Sequence, residues 1–327
     1  MTNRRRILVT LGAAALTAPL AAIAQKSEKI ARVGYLGPTS AAAGKSRIEA
    51  LRSGLRELGY VEGKNLLMEY RWADDRYESL PKLAAELVRQ KVDVIVTHGT
   101  PGTRAAKQAT STIPIVMATA GDADVAGLVT NITRPEGNVT GTMFSNPELA
   151  AKRMEVLRDT LPRIRRVAVL HNPDNSSMGP VLKAMEKSAQ PLKLELQQVA
   201  VRVPGELEGA FSAMSAKRAE AVVVIEDAML NGNIQSIASL AAKHRLPSIG
   251  LPELAEVGGF MAYGVDLVQR FQRAAYFVDK IVKGTKVTDL PVERATRFEL
   301  IINNRTAKAI GVAIPPELLL RADRVIE

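Results

Sequence analysis

The chain has 327 residues, no cysteine, 4% aromatic residues and a formal charge of +10. The lack of cysteine excludes disulfide staples, thiolate metal sites and thiol nucleophiles. Lys and Arg are spread along the chain with few aromatics to stack bases, so the charge describes a solvated basic surface and not a nucleic-acid site.

Asn3-Arg4-Arg5-Arg6-Ile7-Leu8 opens the chain as a basic segment running into an apolar stretch, and Ala22-Ile23-Ala24 offers a small-x-small cleavage pattern. The stretch contains Gly12 and Pro19, and it falls short of the ~20 residues that span a bilayer. Residues 1–24 are therefore expected to be a cleavable export signal, twin-arginine or Sec, with the mature protein starting near Gln25 in the periplasm. Losing Arg4, Arg5 and Arg6 lowers the charge by three to +7. The remaining ~300 residues suffice for two compact lobes.

Short β-branched runs then alternate with amphipathic helical stretches. In the first half the runs are 32–36, 66–72, 92–97, 113–118 and 139–144. Ile48, Leu51, Leu55 and Leu58 recur at helical spacing ahead of Gly59, and Leu80, Leu83, Ala84, Leu87 and Val88 mark the next helix. The second half repeats the scheme with runs at 166–171, 194–201, 221–226, 247–250 and 259–263. Runs such as 92–96 and 221–225 lack a polar face, which suits parallel strands covered on both sides by helices.

This alternation predicts an α/β fold of two doubly wound parallel-sheet lobes, divided near residues 145 and 146. Ligands of such sheets sit beyond the carboxyl ends of the strands. A cleft between facing lobes would then have Thr39, Ser40, 98–100 and 118–122 on one wall. Residues 171–175 with Glu226 and Asp227 form the other.

Gly44-Lys45-Ser46 follows a strand, but a phosphate loop needs glycine where Thr39 stands, so nucleotide binding is not expected. The hydroxyls of Thr39 and Ser40 are candidates for a ligand carboxylate instead. Thr100-Pro101-Gly102-Thr103 opens a helix whose free amides and positive end suit the same group. Asp122 lies in the loop after the fourth strand as an acidic candidate. Glu226 and Asp227 are candidates for an ammonium group. Adjacent residues on one strand point oppositely, which argues against using that pair as a glycosidase acid and base. His98 and His171 end equivalent strands, but two histidines fall short of the three or four ligands a metal wants. No metal or cofactor is expected. Neither a Gly-x-Ser-x-Gly elbow nor a His-Glu-x-x-His site is present.

The segments GLRELGYVEGKNLLMEYRWADDRYESLPKLAAELVRQKVDVIV, GTPGTRAAKQATSTIPIVMATAGD, RVAVLHNPDN and GGFMAYG carry a resemblance across nearly the whole mature chain. So does LPVERATRFELIINNRTAKAIGVAIPPELLLRADRVIE at the C-terminus. Together they resemble the tryptophan/tyrosine-binding-like family of ABC transporter substrate-binding proteins. The resemblance implies a type I periplasmic-binding-protein fold with several crossovers between lobes. The first lobe would comprise 25–145 plus about 264–285, and the second 146–263 plus about 286–327. It implies a monomeric, non-enzymatic receptor that traps a small solute, such as an amino acid or related carboxylate, for an inner-membrane permease. It also puts the Thr100 loop and Asn172 on the ligand wall, and makes 258–264 a crossover whose Tyr263 can meet the ligand. His98 stands where family members more often carry a small residue. A periplasmic hydrolase acting on such a solute, or a sensor serving a membrane receptor, remains open as an alternative.

Overall fold

The computed structural model describes residues 30–327, so the expected export signal lies outside the described residues. The first half winds through β1 (Ala31–Gly37), α1 (Lys45–Glu57), β2 (Leu66–Trp72), α2 (Leu80–Arg89), β3 (Val94–His98), α3 (Gly99–Ala109), β4 (Ile115–Gly121) and β5 (Val139–Phe144). The chain then crosses into α4 (Asn146–Thr160), β6 (Arg166–His171), α5 (Met178–Ala189), β7 (Glu195–Ala200), α6 (Leu207–Ala216) and β8 (Ala221–Val224). It continues through α7 (Ala228–Gly232), α8 (Ile234–Lys243), β9 (Ser248–Gly250), α9 (Pro252–Glu256) and β10 (Met261–Gly264).

Strand order runs β2-β1-β3-β4-β5 in one sheet and β7-β6-β8-β9-β10 in the other, the same winding used twice. All pairings within these two runs are parallel. Val94, Ile95 and Val96 are wholly buried, as are Val222 and Val223. Helices therefore cover both faces, as the lack of a polar face in these runs predicts.

After β10 the chain returns to the first lobe as α10 (Leu267–Val282) and adds β11 (Glu293–Arg294) to its edge. It then crosses back as β12 (Glu299–Asn303), α11 (Asn304–Ile310), α12 (Pro316–Arg321) and β13 (Arg324–Ile326). This moves one expected boundary. Residues 286–294 go with the first sheet, because Glu293 pairs with Thr142 and the Leu290 carbonyl accepts the Thr140 hydroxyl. The return to the second sheet therefore falls after Arg294, not near 286. Entering from the opposite lobe, β12 runs antiparallel to β10.

The returning helix is held by close packing. Leu51 and Leu55 of α1 are buried in the same cluster as Phe271, Ala274, Ala275 and Val278 of α10. Each leucine side chain contributes about 1.5–3 kcal/mol by leaving water. Gly54 sets the spacing, since a Cβ there would come 2.7 Å from the Gln272 carbonyl oxygen. Gly54→Val is expected to cost about 1–3 kcal/mol. A lower urea midpoint at unchanged slope would show it; an unchanged midpoint would mean that this contact does not fix the helix.

Candidate functional site

The carboxyl ends of β3, β4 and β5 face the segments that follow β6 and β8 across a cleft. A small cavity of about 30 Å³ lies between them. His98, Thr100, Thr119 and Phe144 line it from the first lobe, and Asn146, Asn175, Ser177, Glu226, Asp227 and Asn231 from the second.

Polar atoms without partners converge there. His98 Nε2, Thr119 Oγ1, Asn146 Oδ1 and both Glu226 carboxylate oxygens are buried without a hydrogen bond among the described residues. Buried polar groups are normally paired, so a cluster of unmatched ones around one cavity is the signature of a polar ligand.

Each is positioned from behind. His98 ends β3 and precedes α3, whose first turn has no side-chain cap. Its Nδ1 lies 3.2 Å from the Tyr35 hydroxyl. Burial, helped by the Arg47 charge, holds the imidazole down at about 3, so it is neutral at physiological pH. Burial raises the Tyr35 phenol, which keeps its proton. With that proton donated to Nδ1, Nε2–H becomes a donor to the cavity. Asn146 opens α4 and lies flat on Gly121, where any Cβ would come 2.0 Å from its Nδ2. Glu226 is ion-paired with the wholly buried Arg153 of α4, although the pair lacks hydrogen-bond alignment. Arg153 is itself anchored on the carbonyls of Tyr263 (2.8 Å) and Val224 (3.0 Å).

Asp227 has a different task. Its carboxylate caps α7 through the Met229 and Leu230 amides and accepts Asn172 and Asn175 side-chain amides at 3.2 and 3.0 Å. The Tyr77 hydroxyl reaches it from the first lobe at 2.9 Å. The α7 segment is gripped at further points: Asn233 donates to Asp75 at 3.3 Å and Arg47 Nη2 to the Asn231 carbonyl at 3.3 Å. The lobes are therefore closed on one another.

Of the residues expected from sequence, His98, Thr100, Glu226 and Asp227 reach the cavity, and five do not line it. Thr39 packs against Gly232 of α7, and Ser40 Oγ accepts the Ala43 amide at 3.3 Å. Asp122 accepts the Asn146 amide at 3.1 Å. Asn172 is committed to Asp227 and to the Asp174 amide. Tyr263 stacks on Phe298 with centroids 5.9 Å apart. Strand ends locate a loop, but loop geometry decides which side chain turns inward. His171 also lies outside the lining.

Sequence inspection put Thr119 and Asn175 inside the wall segments 118–122 and 171–175 without singling them out, and it missed Asn146, Ser177, Asn231 and the supporting Arg153 and Tyr77. Arg153 did leave a signal. It shares the helical face of Leu149, Ala150, Met154 and Leu157, where a charge needs a buried partner.

The family model described as ABC transporter substrate binding protein matches residues 35–326. A curated tyrosine-binding protein of Clostridioides difficile is 26% identical over 259 residues, spanning 79% of this chain and 74% of that protein. A solved conserved domain protein from Vibrio cholerae is 27% identical with a TM-score of 0.84, covering 91% of this chain and 100% of its own. An ABC domain from Streptococcus pneumoniae, solved with L-Trp, superposes at a TM-score of 0.81 and 23% identity over 90% of this chain and 100% of that one. The fold is that of type I periplasmic binding proteins.

Tyr77→Phe removes the donor that joins Asp227 to the first lobe, at an expected cost of about 1.5–3 kcal/mol. The urea midpoint should fall and the radius of gyration from solution scattering should rise. If neither changes, the hydroxyl does not hold the lobes together. Burial pushes the Asp122 carboxyl up to about 6, against the pull of the Asn146 amide. The folded state then binds this proton more tightly than the unfolded chain, whose carboxyl titrates near 3.9. Its stabilising contribution is complete below that value and is lost as pH rises through about 6. The stability of the wild type relative to Asp122→Asn should therefore decline across this window; a flat difference would refute the assignment.

Proposed function

The chain belongs to the family of ABC transporter substrate-binding proteins, and on that premise we propose that it is the periplasmic solute receptor of an ABC importer. It captures a small organic solute between its lobes and delivers it to a permease in the inner membrane. The basic and apolar N-terminal segment supports export, and no helix of the described residues is long and apolar enough to cross a membrane.

The observation that carries the ligand class is the set of unmatched buried polar atoms on the two walls. The His98 donor, the unmatched Thr119 hydroxyl and the uncapped start of α3 favour a carboxylate on the first wall. Glu226 and the Asn146 carbonyl oxygen offer acceptors to an ammonium group on the second. An amino acid or a related carboxylate presents both ends. The name of the curated relative and the ligand in the pneumococcal structure point to the same class. Closure around such a solute excludes water and strengthens each of these contacts.

A thermal-denaturation screen of residues 25–327 against amino acids, small carboxylates, sugars and oligopeptides tests this proposal. Ligand at ~100 times its Kd adds about 2.7 kcal/mol, an expected shift of roughly 5 °C or more. Glu226→Gln should weaken an amine-bearing hit by roughly tenfold and spare one lacking an amine. No shift from any solute, or recovery of a chemically altered solute by mass spectrometry, would overturn the receptor assignment.

A further inference from the structure

The cavity walls lack a full positive charge. His98 is neutral, and the start of α3 supplies only the partial charge of a helix terminus. Arg47, in the first turn of α1, is not itself among the lining residues, but it acts on two of them, His98 and Asn231. Its side chain is 5% exposed, and its charge acts directly on His98. Its Nη2 donates to the carbonyl of Asn231, which lines the cavity from the other lobe. Its Nη1 is buried with no hydrogen-bond partner among the described residues.

Among the described residues this guanidinium acts on groups from both lobes. Tyr35 and His98 lie on the first lobe, and Asn231 and Glu253 on the second. Tyr35 and His98 are neutral, and Asn231 offers only a main-chain carbonyl. Glu253 is the acid among them, and it forms no ion pair with Arg47 among the described residues. Its Oε2 is buried and unpartnered, and burial pushes its carboxyl up to about 7 although Arg47 pulls it down. The acid therefore serves Arg47 poorly as a counter-ion at neutral pH.

A buried guanidinium without an anion is costly, and a planar fork with free N–H groups matches a carboxylate. Resting on the receptor assignment above, we propose that Arg47 is the anion-binding residue of the cleft, taking the carboxylate of the ligand where the two lobes meet. The ligand class is thereby narrowed to solutes with an ionised carboxylate. Because Arg47 also holds the Asn231 carbonyl of α7, engaging the anion and closing the lobes become one event. Glu226 then takes the amine at the far wall where the ligand has one.

The test uses residues 25–327 at neutral pH, with propionate and benzoate as probes, their amides as uncharged controls, and the amino acids. The variants are Arg47→Met and Arg47→Lys, each also combined with Glu253→Gln. Carboxylates are expected to raise the wild-type Tm and the amides not. Arg47→Met should abolish that shift, and Arg47→Lys should weaken binding roughly tenfold. Without ligand, Arg47→Met should melt at or above the wild type, because an unpaired buried charge has gone. Retention of the carboxylate shift in Arg47→Met would overturn the proposal. So would a ligand-free loss of several degrees that is non-additive with Glu253→Gln, since Glu253 would then be the partner. Amines or sugars that bind wild type and Arg47→Met equally would leave the receptor standing and remove Arg47 from it. Failure of every solute to bind would remove both.

Discussion

Five hydrogen-bond donors converge on the carboxylate of Asp227, and one of them comes from the other lobe. The short helix α7 that this carboxylate caps is the tongue on which the lobes meet. Tyr77, Asp75, Arg47 and the Thr39 loop hold it from the first lobe. The cavity lies beside this seam, walled on one side by Glu226, the preceding residue. Two adjacent acids beside one short segment thus both line the enclosed space, and one of them, Asp227, also joins the lobes.

Charges buried beneath the cleft follow a different logic from the core. Replacing a buried ion pair by apolar residues of similar volume is often neutral or stabilising. Arg153 and Glu226 persist in this setting with oxygens and a guanidinium nitrogen that lack hydrogen-bond alignment. Arg47, at the seam between the lobes, has a nitrogen with no hydrogen-bond partner among the described residues. Such groups add little to the stability of the empty protein, and their incomplete pairing is what leaves them available to a ligand. The apolar sheets around them, with Val94, Ile95, Val96, Val222 and Val223 wholly buried, supply the stability that permits it.

Much of the architecture was legible in the sequence. The alternation of β-branched runs with helical spacing gave two doubly wound lobes, because local hydrophobic periodicity follows directly from which faces must leave water. What stayed hidden was the C-terminal weave. The two-residue strand β11 carries no periodicity, and only its pairing with Thr142 and Met143 assigns it to the first sheet. The strand ends were also legible, and with them His98, Thr100, Glu226 and Asp227. The same rule brought in Thr39, Ser40, Asp122 and Asn172, and the family resemblance brought in Tyr263; these pack, cap or brace outside the cavity lining.

By itself, then, the sequence determined two repeated βα lobes and the edges at which a ligand site must form, since both follow from local burial patterns and from the geometry of parallel sheets. Tertiary structure alone decided which of two adjacent acids on the cavity wall also joins the lobes. It also brought in Tyr77, 150 residues from Asp227, and Arg47, 184 residues from Asn231. No local pattern encodes contacts at such separations. They exist only once the chain has crossed between its lobes and the two sheets have closed on each other.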